Sequence, residues 1–385
     1  MTTNNKNFQP SATEIERRYQ NTRAAMEMAE LDAVIISGSE YTGFEGAVRY
    51  MCGFHILHRY AYVVVPMSGE PTCVFPKEAT WVGDHTQTFI EQREFPAHCG
   101  QWMADYCKGQ GWKRIGVYGL SYIISVRDYQ ALADAGFEFI DFDEAFDHSR
   151  AGKSAEELAS VRASMEINKA GVLAVIQAYD AGKTEAELMG VAEETFASCG
   201  TARNTMDMVL VGPNGSLLPQ MVFADSNRRV QDSDGLLYGL EVAGPGGHWV
   251  EFSRLLAPTG ISNDTRRLMD AYAEFHELAK EHMIVGASAE EVHRKCVKPF
   301  EGKGWRMGHV CGHSIGMTMI EHPRIGEGSE FELVENMVCS MHPHVMTDDR
   351  SSSLYFQETF RVGKSEGEPL SGVPVGFYRG GEESL

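Results

Sequence analysis

The sequence predicts an α/β N-terminal domain over residues 1–150 and an α+β C-terminal domain over residues 151–385. Three observations carry this. Helix-like and strand-like runs alternate through the first part of the chain, which is the pattern of an α/β domain. The stretch 147–153, DHSRAGK, is polar and contains glycine, as links between domains do. GKTEAELMGVAEETF (182–196) resembles GASAEEVHRKCVKPF (286–300): a glycine, a hydroxyl two residues on, then an amphipathic helix. Helices often open this way, so the similarity has two readings: a common helix start, or a duplicated α+β half with a site between the halves.

In order, residues 11–30 read as an amphipathic helix with Thr13 as cap and Glu16 completing a capping box. LDAVIIS (31–37) is a buried strand, and VRYMCGF, YAYVVVP and PTCVFP follow as strands. A helix near 98–110 leads to the strand RIGVYGL (114–120), a helix near 125–135 and the short strand FEFID. Ser154 and Glu157 open a long helix with apolar positions at Leu158, Val161, Met165, Ile167 and Val172, and Thr184 with Glu187 opens another. Strands are predicted at MDMVLVG (206–212), LLYGLEVAG (236–244) and HWVEFSRLL (248–256), the last two forming a hairpin over Gly244–Gly247. Alternation places Glu241 and Glu251 so that they can point into one cleft, and Glu251, between Val250 and Phe252, needs a partner in such apolar company.

Composition excludes several functions. The net charge is −20 without a lysine- or arginine-rich run, which argues against nucleic acid and anionic membranes as partners and favours cationic or zwitterionic small substrates. No apolar run approaches the roughly 20 residues of a membrane span, and the polar N-terminus lacks the apolar core of a signal peptide. The eight cysteines are scattered with no CxxC pair, so reduced thiols and a cytoplasmic location are expected.

The chemistry is expected in residues 308–345, where His309, His313, His322 and His342 fall on two buried strands joined by a glycine- and acid-rich loop at 325–331. Glu358 follows on another strand-like run, LYFQETFRV. Imidazole titrates near neutrality and serves as acid, base or metal ligand.

Across nearly its whole length the chain resembles the pita-bread family of creatinase, prolidase, aminopeptidase P and methionine aminopeptidase. The residues that carry this are YMCGF, KSAEELASVR, GKTEAEL, GPNGSLLP, the glycine hairpin ending in Glu251-x-x-Arg254, GHSIGM, NMVCSMHPHV and FQETFRV. The resemblance implies an α/β N-terminal domain plus an α+β pita-bread C-terminal domain built from two pseudo-symmetric halves, and a homodimer. Metal-dependent members of the family carry ligands in the order Asp, Asp, His, Glu, Glu. Carried over, the second Asp is Glu251, fixed by Arg254; the histidine is His313; the first glutamate is His342; the last is Glu358. The first Asp falls at Leu240 by strict spacing or at Glu241 if the hairpin is one residue shorter. Two divalent ions bring four positive charges against so few carboxylates, and uncompensated buried charge costs several kcal/mol per ion; a dinuclear centre is therefore disfavoured.

Creatinase also resembles this chain in having a glutamate at the second Asp position and a mixed set of glutamates and histidines in place of metal ligands. It places its catalytic histidine near residues 217–227, where this chain has Gln220, so the base is assigned to His313, with His342 as runner-up. The expected catalytic set is thus His313, His342, Glu251 and Glu358. Glu241 and His322, with His58 and Arg59 reaching a partner subunit's cleft, are expected to bind substrate. The first expectation is a creatinase-like hydrolase that cleaves a C–N bond in a small zwitterionic amino-acid-derived compound, with no cofactor. The second is an Xaa-Pro dipeptidase or aminopeptidase with one zinc, iron or manganese ion held from among Glu241, Glu251, His313, His342 and Glu358. A lyase acting on a sulfonium zwitterion and a non-catalytic binding module complete the set.

Overall fold

The computed structural model describes residues 8–41, 43–56, 59–80, 88–180, 182–200, 203–212, 216–217, 224–257, 260–379 and 382–384. The chain forms two compact units, one of Gln9–Ala151 joined by Met317–His322, the other built mainly from Gly152–Gly316 and Pro323–Leu385.

In the first unit, strands β1 (Ala33–Ser39), β2 (Tyr60–Pro66), β3 (Thr72–Val74), β4 (Arg93–Glu94), β5 (Arg114–Tyr118) and β6 (Glu138–Asp141) make one sheet in the order β4-β3-β2-β1-β5-β6. Helices α1 (Ala12–Met28), α2 (Gly46–Cys52), α3 (Cys99–Gln110), α4 (Val126–Asp134) and α5 (Asp143–Ser149) accompany it. The sheet is mixed: β1 runs antiparallel to β2 and parallel to β5. Its central strands are apolar on both faces because each face carries a packed cluster, one around Val34, Ile36 and Val63, the other around Ile35, Val64 and Val117. Two local readings change. The cap of α1 is Ser11, whose hydroxyl accepts from Glu14 N–H, not Thr13. VRYMC is helical, not a strand: α2 buries all of it except the half-buried Arg49 and stops at Gly53, whose φ of 79° only glycine adopts at little cost.

In the second unit, α6 (Ala155–Ala178) and α7 (Glu185–Cys199) start at Ser154 and Thr184 with complete capping boxes, as the sequence predicts. Strands β7 (Arg203–Gly212), β8 (Gly235–Ala243) and β9 (Trp249–Leu256) follow, then α8 (Asn263–His282) and α9 (Ala289–Cys296). The remaining strands that bear on function are β10 (Trp305–Met307), β11 (Gly312–Ser314), β12 (Glu321–Ile325, whose first two residues group with the first unit), β13 (Val338–Met341), β14 (His344–Thr347), β15 (Ser353–Tyr355) and β16 (Glu358–Arg361). β8, β9, β16, β13 and β11 lie side by side in that order within one ten-stranded sheet. β10, β14 and β15 form a separate three-stranded sheet.

The internal similarity in the sequence corresponds to a structural repeat. Gly182 N–H donates to Val230 O and Val230 N–H to Lys183 O; Gly286 N–H donates to Leu333 O and Leu333 N–H to Ala287 O. Thr184 bridges Arg229 where Ser288 bridges Glu332, each antiparallel. Both helix caps are therefore pinned to a returning strand in the same way, and the second unit is two halves of one design. The β8–β9 hairpin lies flat on α6. Asn168 Nδ2 donates to Leu240 O (2.9 Å) and Ser164 Oγ to His248 O (2.7 Å). A Cβ at Gly244 would stand 2.5 Å from Ser164 Oγ, and one at Gly246 would collide with Ser160 Oγ, so the hairpin needs its glycines to approach the helix.

Candidate active site and metal centre

Register across the central strands sorts their side chains onto two faces. Glu241 pairs with Glu251, His313 with Ser340, and Ser340 with Thr359, so these share one face. Leu240 and Glu358 pair with Phe252, and Met341 with Glu358, so these share the other. The shorter hairpin is thereby the one formed: Glu241 stands opposite Glu251, and Leu240 is a buried residue on the reverse face.

On the first face, Glu251, His313 and His342 are all buried and present donor atoms within 4.8 Å of one another. His313 Nε2 lies 3.5 Å from Glu251 Oε1. Its Nδ1 faces Ser314 O at 2.8 Å. A carbonyl only accepts, so Nδ1 carries a proton and Nε2, turned toward Glu251, is the nitrogen available as a ligand atom. The His342 ring is 4.8 Å from that of His313, and its Nδ1 is 3.2 Å from Tyr355 Oη. Its Nε2 is buried with no hydrogen-bond partner among the described residues. Burial, then the neighbouring His313 and His309, holds the His342 pKa well below that of ordinary histidine, so the ring is neutral at pH 7.

Gln357 and Ser340 fix the carboxylates. Gln357 Nε2 donates to Glu241 Oε1 (3.0 Å) and Glu251 Oε2 (2.9 Å), and Ser340 Oγ donates to Glu251 Oε2 (2.5 Å). Burial and the adjacent Glu251 push the Glu241 carboxyl well above the usual range. Tyr355 contacts three imidazoles, with ring centroids 5.3 Å from His309, 5.4 Å from His342 and 5.6 Å from His344. His309 is exposed. His344 is half-buried, and burial followed by His309 lowers its pKa to about 4.

Other expected residues lie elsewhere. Glu358 is fully buried on the reverse face. Arg254 sits 2.9 Å from it, and Ser371 donates to it through N–H (3.1 Å) and Oγ (2.8 Å). Arg254 therefore serves Glu358, not Glu251 as the sequence suggested. A one-residue step along a strand is enough to turn a side chain away from the cluster. His322 belongs to the first unit, where its backbone N–H donates to Asp147 Oδ2 at 2.9 Å. Arg59, also in the first unit, has a φ of 64° and faces Glu78 at 3.2 Å, both exposed. His58 and Gln220 lie outside the described residues. Sequence reasoning missed Gln357, Tyr355, Ser340 and His344. The signal was available for two of them: Tyr355, Gln357 and Thr359 alternate through LYFQETF and so share a face.

Comparison with known proteins identifies the family and the fold. A family model described as metallopeptidase family M24 matches residues 159–364, and one for the creatinase/prolidase N-terminal domain matches residues 18–151. The Xaa-Pro dipeptidase of Pyrococcus horikoshii is 22% identical over 351 residues, covering 90% of this chain and 94% of that one. The Xaa-Pro dipeptidase of Pyrococcus furiosus is 26% identical over 212 residues, 54% of this chain and 60% of its own length. Among solved structures, dipeptidase PepE from Mycobacterium ulcerans aligns with a TM-score of 0.80 at 20% identity, covering 96% of this chain and 99% of its own. X-Pro aminopeptidase from Thermotoga maritima MSB8 aligns with a TM-score of 0.78 at 17% identity, covering 93% and 99%. Both structural likenesses show the pita-bread fold.

These findings overturn the expectation of a centre without a cofactor. The matched family is one of metallopeptidases, and Glu251, His313 and His342 offer one carboxylate and two imidazole nitrogens at a spacing that fits a divalent ion. The Nε2 of His342, without a hydrogen-bond partner among the described residues, and the Nε2 of His313, whose Nδ1 is taken by a carbonyl, are the atoms such an ion requires. No helix among the described residues is long and apolar enough to cross a membrane. The chain belongs to metallopeptidase family M24, joined to a creatinase/prolidase N-terminal domain, and is a hydrolase of the peptidase type.

Proposed function

We propose that the protein hydrolyses a C–N bond in a small zwitterionic, amino-acid-derived compound, an Xaa-Pro dipeptide or an N-acyl amino acid, with one divalent ion held by Glu251, His313 and His342. The observation that carries this is the buried two-nitrogen, one-carboxylate triad. Its charge fits a single ion better than two, and the net charge of −20 favours a substrate with a cationic end. When bound, the ion supplies Lewis acidity toward a carbonyl oxygen. Glu241, across the sheet from Glu251 and held by Gln357, is placed to exchange a proton with the reacting groups. Tyr355 orients His342 by occupying Nδ1, which leaves Nε2 for the ion. A cytoplasmic homodimer remains our reading; seven of the eight cysteine thiols are buried and unbridged, which suits a reducing compartment.

Protein stripped with a chelator is expected to lose turnover on a panel of Xaa-Pro dipeptides, N-acyl amino acids and guanidino acids, and to regain it with manganese or zinc. Turnover that survives complete removal of metal, or a panel inert with every ion, rejects the proposal. Tyr355→Phe is expected to weaken ion binding by about 10–100-fold, the usual cost of losing a ligand's outer hydrogen bond. Calorimetric titration of the apo protein measures it, and an unchanged affinity would remove Tyr355 from this role.

A further inference from the structure

The amide of Gln357 lies between the two carboxylates of the cluster. Gln357 is wholly buried, and its single Nε2 donates to one oxygen of Glu241 and one of Glu251. The same Glu251 oxygen also accepts from Ser340, so Oε2 is engaged by two neutral donors and Oε1 is the oxygen left facing His313. Space for the amide is built into the sheet. A Cβ at Gly239, the residue across from Ser253, would stand 2.8 Å from Gln357 Oε1.

We infer that Gln357 is the positioning residue that limits this centre to one divalent ion, and that a carboxylate at 357 makes it a two-ion centre. The inference rests on the single-ion reading above and extends it to what sets the count. An N–H donor aimed at both glutamates puts partial positive charge where a second cation would need an oxygen. With an amide there, two ions would meet at most two carboxylates on this face, Glu241 and Glu251, and the excess charge would be buried. The adjacent Glu358 does not relieve this, because it lies on the reverse face and is matched by Arg254. Gln357→Glu keeps the side-chain length, replaces the donor with an acceptor and raises the carboxylates on the face to three.

The test is a metal count. Apo protein is titrated calorimetrically with manganese(II) and with zinc(II), and bound metal is measured by mass spectrometry after desalting. The parent is expected to hold one ion per chain and Gln357→Glu two. Gln357→Met, of similar length but without a donor, covers the case in which a third buried acid prevents folding. It is expected to hold one ion about 10–100-fold more weakly, because Glu251 loses its restraint. A parent that holds two ions, a folded Gln357→Glu that holds one, or a Gln357→Met with parental affinity overturns the inference. A parent that holds none overturns the single-ion reading itself, which separates the two failures.

Discussion

His342→Ala is expected to remove the ion and, with it, turnover. The substitution deletes one of three donor atoms, and the Nε2 it deletes is buried with no hydrogen-bond partner among the described residues. Loss of an outer hydrogen bond to a ligand already costs about 10–100-fold in affinity, so loss of the ligand itself should exceed that. Turnover should fall on the order of 10³-fold or more, in keeping with the several kcal/mol that a bound metal contributes to charge stabilisation. The neutral state of His342 matters here. Its pKa is held well below the ordinary value by burial, so at pH 7 the ring is neutral and an ion has no second proton to displace. His344→Ala is the control, since His344 touches Tyr355 but supplies no atom to the triad. Metal analysis and calorimetry on both variants decide the matter. A folded His342→Ala that keeps stoichiometric metal would show that the triad is not the centre.

Much of this was legible in the sequence, and what was not has a physical reason. Ser154, Glu157, Thr184 and Glu187 announce two helix starts because a capping box is a local interaction over three residues. Glu241 and Glu251 could be directed toward one cleft because a short hairpin joins their strands, but spacing alone left Leu240 and Glu241 as alternatives, which the pairing of Glu241 with Glu251 decides. Glu358 could not be placed. Its face depends on how β16 aligns with β9, which is far away in the sequence, and with β13 across a long connection, and a one-residue shift exchanges it with Gln357. His322 shows the same limit. Its position in the chain suggested the histidine cluster, yet the short stretch Met317–His322 packs with the N-terminal residues. The α2 segment was misread because a short apolar run does not distinguish a strand from a buried helical turn.

Arg254→Met is expected to destabilise the second unit by about 3–5 kcal/mol, because it strands a buried carboxylate. Arg254 and Glu358 are both fully buried, 2.9 Å apart, on the face of the sheet away from Glu251 and His313. The guanidinium also donates to Pro374 O (3.0 Å), Ser253 O (2.7 Å) and Ser371 Oγ (3.2 Å), and lies 4.4 Å from the Phe252 ring centroid. Removing it leaves Glu358 with Ser371 alone among its described donors, and a fall in melting temperature of about 10 °C follows for a unit of this size. The double variant Arg254→Met/Glu358→Met should recover most of the loss, since replacing both members of a buried pair by apolar groups is often close to neutral. Metal content separates this account from the one the sequence suggested. If Glu358 were a ligand, Glu358→Gln would lower ion affinity as sharply as His342→Ala. On the reverse face it should cost stability and leave ion affinity in the folded protein within about 3-fold of the parent, well short of the ~10-fold that even an outer-shell loss produces. A melting temperature unchanged by Arg254→Met, or an ion lost with Glu358→Gln, would return Glu358 to the metal site.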